Sequence, residues 1–313
     1  MIAGISASDQ VFLAALDQAE QRASSAESEI SSGYKLTQPS DDPDEIGPSL
    51  ALQAQLQQTL QVQTNLGQFT SETNTAEQAI SDGVQTLQQI TTLGTQGATE
   101  TETPAQRQAL AAQVAGYLQD LVASANTQAG GRYLFSGDSD QVQPYTIDAN
   151  GNVSGYQGSA STRQAMAADG TTFSIALSGQ EIFEAPGGSA LQAVQDLQAA
   201  LQNGPAVAVG DPQYDSQYSA QTAAITNALS ELSQASGQMN QQLAFYGTVQ
   251  DRLSDATSTA ATLQANQQAQ LSAYTDADIP TEAIDLTQAN TQIDAAMSAF
   301  AKLPTTTLFN YLA

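Results

Sequence analysis

The chain has 313 residues, 41% of them hydrophobic, enough for about two domains with real cores. Lys+Arg number 7 against Asp+Glu 32, and the net charge of -25 argues against nucleic acid and anionic membrane surfaces, which both need a basic footprint. With no Cys and no His, thiolate catalysis, imidazole base chemistry and the usual zinc sites are excluded, and no cofactor or metal is expected.

The polar residues are largely Gln, Ser and Thr. Such a surface suits close repeated contacts, because burying a neutral polar group costs less than burying a charge. No run of 18 apolar residues exists, so no membrane span is expected. The first basic residue is Arg22, so the start lacks the basic region of a cleaved secretory leader. If the protein is exported, the expected route is another one.

The first helix is expected from about Ser6 to Ser32. Its positions Ile5, Asp9, Phe12, Leu16, Ala19, Ala23, Ala26 and Ile30 alternate spacings of four and three. That is a heptad seam, the stripe by which one helix meets another. Gly33 then breaks the helix as a left-handed cap. Residues 37–45 read as a turn and a new helix start, with Pro39 and Pro43 stopping helix on their N-terminal sides. Asp42 is the expected N-cap, Pro43 stands at N1, and Glu45 at N3 would complete a capping box. Asp41, Asp42, Asp44 and Glu45 could be read as a metal site, but a helix macrodipole already accounts for carboxylates there.

A long helix follows over roughly 43–97, with the seam Leu66, Phe69, Thr73, Ala76, Ile80, Gly83, Leu87 and Ile90. At about 1.5 Å per residue it would span on the order of 80 Å, which favours a bundle or fibre subunit. Residues 94–103 break it, and Pro104 opens another helix to about Gln128. Gly130-Gly131 ends that helix, and residues 132–184 turn rich in Gly, Asp, Ser and Thr. Tyr145–Asp148 and Val153–Tyr156 are expected to pair around Asn150-Gly151 as a type I′ hairpin. Thr172–Leu177 and Glu181–Phe183 are expected as further strands, with Ser178-Gly179 as their turn. Asp148-Ala-Asn150-Gly-Asn152 is read as a turn and not a calcium loop, because its glycine falls in the wrong place and Ser159 stands where the closing glutamate belongs.

Helix is expected again over Ser189–Asn203, then from about Asp215 to Ala273. A break at Asp276-Ala-Asp278 precedes a second terminal seam, Ile279, Ala283, Leu286, Asn290, Ile293, Met297 and Phe300. Pro304 interrupts it before Leu308-Phe-Asn-Tyr-Leu312. The two long helices should run antiparallel and bring the chain ends together. The terminal seams should pair with each other and with neighbouring copies.

Several stretches resemble one family. Ile30-Ser-Ser-Gly-Tyr-Lys-Leu-Thr-Gln-Pro-Ser-Asp-Asp-Pro43, which includes Ser40, is similar to the "SxGxxIxxxSDDP" spoke segment of bacterial flagellins and their hook-associated relatives. Asp276-Ala-Asp278 resembles the acidic turn before their C-terminal helix, and Leu308–Leu312 their terminal "LxxYL" segment. Tyr133-Leu-Phe-Ser-Gly137, followed by Pro144-Tyr145, resembles the "YLFSG…PF" segment of the hook–filament junction branch, the hook-associated protein 3 group. Tyr156-Gln-Gly, Arg163 and Gly179-Gln-Glu-Ile-Phe183 fit the same branch.

The resemblance implies a non-enzymatic flagellar component, exported unfolded through the flagellum's own secretion channel. It implies self-assembly into a ring or helical layer, hook-associated protein 1 on the hook side, flagellin on the filament side, and an export chaperone at the C-terminal segment. A short flagellin forming the filament itself is the alternative. An enzyme working through residues 132–187 finds no G-x-S-x-G and no phosphate loop to support it.

The expected fold is mainly α: a long antiparallel helical bundle or coiled-coil rod with paired terminal helices and a small β-rich insert. The expected domains are the terminal helices at 1–40 and 274–313, a rod at 41–131 and 188–273, and the insert at 132–187. Ile5, Phe12, Leu16, Ile30, Leu286, Ile293, Met297, Phe300, Leu308 and Leu312 are the expected assembly contacts. Gly33, Pro39, Ser40, Asp41, Asp42 and Pro43 are the expected spoke. Both ends are expected to be disordered in the free subunit, since their few large apolar residues cannot offset the cost of ordering the backbone.

Overall fold

The structure, a computed structural model, describes residues 7–38, 42–185, 188–206 and 209–301, with backbone alone for 7–9. The described elements, in order, are α1 (Ala7–Ser32), α2 (Pro43–Gly97), α3 (Pro104–Ala125), β1 (Gln128–Ala129), β2 (Arg132–Tyr133), β3 (Gln164–Met166), β4 (Thr172–Ser174), α4 (Gly179–Phe183), α5 (Ala190–Gln202), α6 (Tyr214–Thr275) and α7 (Ile279–Ala301). The fold is helical with two small antiparallel ribbons, β1–β2 and β3–β4. The chain divides into two compact units, residues 59–263 and residues 1–58 with 264–313.

Local chemistry starts and stops these elements. Thr103 caps α3 in a full capping box with Gln106, and Pro104 supplies a preset φ at the first helical position. Ser189 caps α5 by accepting from the Gln192 amide at 3.2 Å. Pro48 lies inside α2, where it removes one ladder bond because its nitrogen carries no hydrogen.

In the unit of residues 59–263, α2 and α6 run antiparallel. Gly94 lies against Leu229, Gly83 against Met239, and Asn74 accepts from Gln250 at 3.0 Å. The α2 seam is the core of this unit: Leu66, Ile80, Leu87 and Ile90 are fully buried. Ile80, Leu87 and Ile90 meet Leu110, Val114, Leu118 and Leu121 of α3, Leu191, Val194, Leu197 and Leu201 of α5, and Ile225, Leu232 and Met239 of α6. Each buried Leu or Ile contributes roughly 1.5–3 kcal/mol, so the seam adds substantially to the stability of this unit.

The segment between β1 and α4 shares that core. Leu134, Phe135, Tyr145, Ile182 and Phe183 belong to the same buried cluster as the helices. Phe135 meets Phe183 edge-on at 5.8 Å between ring centroids. Its carbonyl accepts from the Gly179 amide at 2.7 Å and the Tyr156 hydroxyl at 2.9 Å. Ser136 is buried and donates to the Val142 carbonyl at 2.6 Å. Gly137 has φ +62°, and a Cβ there would collide with the Ser159 and Ser161 carbonyls. The Tyr133–Gly137 segment is therefore a packing knot. The β3–β4 ribbon lies on α2 and α6 further along, with Ala165, Ala167 and Ile175 against Val62, Leu66, Leu253 and Ala260.

Four local expectations need correction. The hairpin at Asn150-Gly151 is not type I′, which needs positive φ at both central residues. Among the described residues no non-glycine has positive φ. The loop is a residue longer, closed by Gly151 donating to the Asp148 carbonyl and Asp148 to that of Asn152, with Gly151 alone left-handed at +86°. Asp148 holds it by accepting from the Asn150 and Asn152 amides, both at 2.8 Å. The strand expected at Glu181–Phe183 is the helix α4, because Ser178 and Glu181 form a capping box. The strand expected over Thr172–Leu177 pairs only through Ser174. The helix expected to reach Gln128 stops at Ala125, where the Asn126 side chain turns away to pair with the Tyr145 backbone at 2.8 and 3.0 Å.

Candidate assembly surface

In the other unit, α1 packs on α7 antiparallel. Phe12 near one end stacks on Phe300, ring centroids 4.8 Å apart and 19° between planes. At the other end Glu29 and Glu282 line one groove. The buried apolar side chains of this pair are Ala19, Ala23 and Ala26 on α1 and Ala289 on α7. Phe12, Leu16, Ile30, Leu286 and Ile293 are half-buried along the same line.

The register on α7 departs from the expected seam. The covered stripe is Glu282, Leu286, Ala289, Ile293 and Ala296. It shares Leu286 and Ile293 with the expected one, whereas Ile279 and Met297 lie exposed. The alanine row on α1 explains the shift. Three small side chains let the backbones approach closely, and Ala289 fits that approach where Asn290 would not. Large apolar side chains lie exposed on this pair, Val11 at 72% and Ile284 at 67% with Leu13; Phe300 is half exposed although it stacks on Phe12, and Leu50 is exposed on α2. Val11, Leu13, Leu50 and Ile284 are not on the seams read from the sequence. Their signal was a bulky apolar residue off the heptad line of an amphipathic helix.

The turn between α1 and α2 is tied to the start of α7. Gly33 is left-handed at φ +76°, and its amide returns to the Glu29 carbonyl at 2.8 Å. Tyr34 and Asp276 then form an antiparallel bridge, with Lys35 donating to Thr275 at 2.8 Å and Ala277 to Gly33 at 2.9 Å. The Asp42 carboxylate caps α2, accepting from the Asp44 and Glu45 amides at 3.0 and 3.2 Å. The Glu45 carboxylate pairs with Lys35 Nζ at 2.7 Å. Pro43 stands at the first position of α2. Ile5, Pro39, Ser40, Asp41, Leu308 and Leu312 lie outside the described residues.

Charge at the α1–α7 interface is one-signed near Glu282. Burial raises its pKa first, and Glu29, Asp285 and Asp278 add to the rise. In the other unit the tyrosines are structural. Burial pushes the Tyr246 hydroxyl up to about 12, where it accepts from the Leu177 amide at 3.3 Å. Among the described residues no helix is long and apolar enough to cross a membrane, and no acidic group is arranged to hold a metal ion.

Two family models match the chain: the bacterial flagellin N-terminal helical region over residues 6–140 and the bacterial flagellin C-terminal helical region over residues 224–312. The chain belongs to the bacterial flagellin family. Solved structures share the fold of this flagellin-family chain. Flagellar hook associated protein-3 from Legionella pneumophila aligns with a TM-score of 0.61 at 14% identity, covering 71% of this chain and 97% of that one. FlgL from Xanthomonas campestris aligns at 0.59 and 18%, covering 70% and 98%. FlgL from Bacillus cereus aligns at 0.53 and 22%, covering 72% and 99%. At these identities the likeness concerns the fold. No curated protein matches the chain significantly in sequence.

Proposed function

We propose that this flagellin-family chain is the hook–filament junction protein of a bacterial flagellum. It is a structural adaptor without enzymatic activity, exported through the flagellar secretion apparatus and placed outside the cell. The terminal segments 1–40 and 274–313 act as its assembly domain. Segments 41–131 and 188–273 form the rod, and 132–187 is its small insert. Self-assembly into a ring or helical layer uses Ile5, Phe12, Leu16, Ile30, Leu286, Ile293, Met297, Phe300, Leu308 and Leu312. Gly33, Pro39, Ser40, Asp41, Asp42 and Pro43 form the spoke beside it. Hook-associated protein 1 lies on one side, flagellin on the other, and an export chaperone holds the chain before secretion.

One observation carries the reading. Among the described residues the α1–α7 pair fully buries only alanines, holds Phe12, Leu16, Ile30, Leu286 and Ile293 half-buried, and leaves Val11, Leu13, Ile279, Ile284 and Met297 exposed, which is short of a finished core. Such an outward face gains stability only when another chain covers it. The four large exposed side chains of α7, Ile279, Ile284, Met297 and Phe300, set where that chain would lie.

Phe300→Asp tests it. The carboxylate would enter a desolvated helix interface without a partner, which is costly. Phe300 is not a member of the buried clusters of residues 59–263, so the purified variant should keep the wild-type melting transition of that unit. Cells carrying only the variant should build hooks, shed flagellin into the medium and make no attached filament. Normal filaments on those cells would overturn the assembly role. A filament made of this chain itself would replace the junction reading with that of a short flagellin.

A further inference from the structure

We propose that the pairing of α1 with α7 is proton-linked through Glu29 and Glu282, so that the terminal helices pair more firmly in mild acid than at neutral pH. The consequence for assembly rests on the function proposed above; the linkage itself is a property of the single chain.

The two carboxyl groups line one groove with Ser25 and Ala26 of α1 and Asp285 and Ala289 of α7. They come from opposite helices and share the lining of that groove, and Glu29 is among the groups that raise the Glu282 pKa. Two carboxylates on one groove repel each other; a proton on one of them removes the repulsion. On a wider interface they would swing apart into water. Here Ala26 and Ala289 are buried and draw the backbones together beside them.

The surrounding charges do not relieve the pair. Asp278 and Asp285 of α7 add negative field at Glu282. Arg22 is the cation on the groove, two turns before Glu29, and it forms none of the ion pairs found among the described residues. The Ser25 hydroxyl donates to Glu29 at 3.2 Å, a neutral contact. Glu29 lies in the last turn of α1, where the helix dipole disfavours an anion, while the first turn of α7 offsets part of this at Glu282.

The sign follows. The paired state holds the Glu282 proton above the usual value of 4.5. Its stabilising contribution is therefore complete below that value and is lost as pH rises through the raised one. Apolar contacts along α1 and α7 do not titrate, so a pH response of the pair reports the carboxyl groups.

Hydrogen exchange on the full chain tests this, corrected for the intrinsic pH dependence of exchange and read over residues 10–32 and 279–301. Wild-type protection should rise several-fold as pH falls from neutral to the usual carboxyl value of 4.5. Glu282→Gln should show the raised protection already at neutral pH and a smaller rise in acid. Asp120→Asn removes the same unit of charge from exposed α3 surface and should follow the wild type. Equal wild-type protection at the two pH values, or a Glu282→Gln variant that behaves as wild type, overturns the proposal. Sedimentation of the same samples separates the two readings. Proton-linked protection without any pH dependence of assembly leaves the linkage standing and removes the assembly role of the pair.

Discussion

Glu72 has 8% of its side chain exposed, yet it holds two cations, Arg163 at 2.6 Å and Arg132 at 2.7 Å. Both arginines belong to the segment between α3 and α4, so this carboxylate fastens that segment to α2. Removing one partner of a buried pair costs about 3–5 kcal/mol, because the remaining charge is left uncompensated. Arg132 keeps 34% of its side chain exposed, which lowers the cost. Glu72→Gln should therefore destabilise the chain by about 2–3 kcal/mol in denaturant unfolding; an unchanged midpoint would contradict the clamp. The sequence does not announce it. Glu72 stands beside seam residue Thr73 and reads as one more polar neighbour, with its partners 60 and 91 positions away. Arg107 is hidden in the same way. It is fully buried on α3, bonded to Gln221 at 2.6 Å and Tyr218 at 2.8 Å on α6. Gly33 and Asp42 were legible because their chemistry is local: a left-handed backbone and a helix cap involve only the next few residues.

Among elements, the long helices were legible from heptad spacing, and their observed ends fall within a few residues of the expected ones. The same periodicity left the α7 rotation open, because an apolar stripe marks a face and not the size of the residue opposite. The row Ala19, Ala23, Ala26 was the missing cue. In the insert the short elements went wrong where side-chain caps outweighed apolar alternation. Ser178-Gly-Gln-Glu181 is a capping signature, and it turned an expected strand into α4. The contrast between the two units has a dynamic consequence. Alanines bury little apolar area, whereas ordering each residue costs about 1–2 kcal/mol of backbone entropy. In the isolated subunit at neutral pH, amide protection in α1 and α7 should lie about a hundredfold or more below that of residues 66–90 of α2. Comparable protection in the two sets would show that the ends are held without a partner.

For the whole molecule, charge and composition fit a repeated contact better than a catalytic one. Thirty-two acidic residues against seven basic ones leave a surface that repels copies of itself at long range. Close association must then come from matched apolar faces, and the terminal pair supplies one. Family membership was legible at the two ends, which carry the spoke and acidic-turn motifs. The Tyr133–Gly137 segment was legible as a motif but not as the packing knot it forms, since its partners Thr127, Tyr156, Ser159 and Gly179 are spread across the fold. The most direct test of the account is immunogold electron microscopy of intact flagella with antibody against this chain. A hook–filament adaptor gives label at a single point where filament leaves hook. Label along the entire filament, or none on the flagellum, would contradict it.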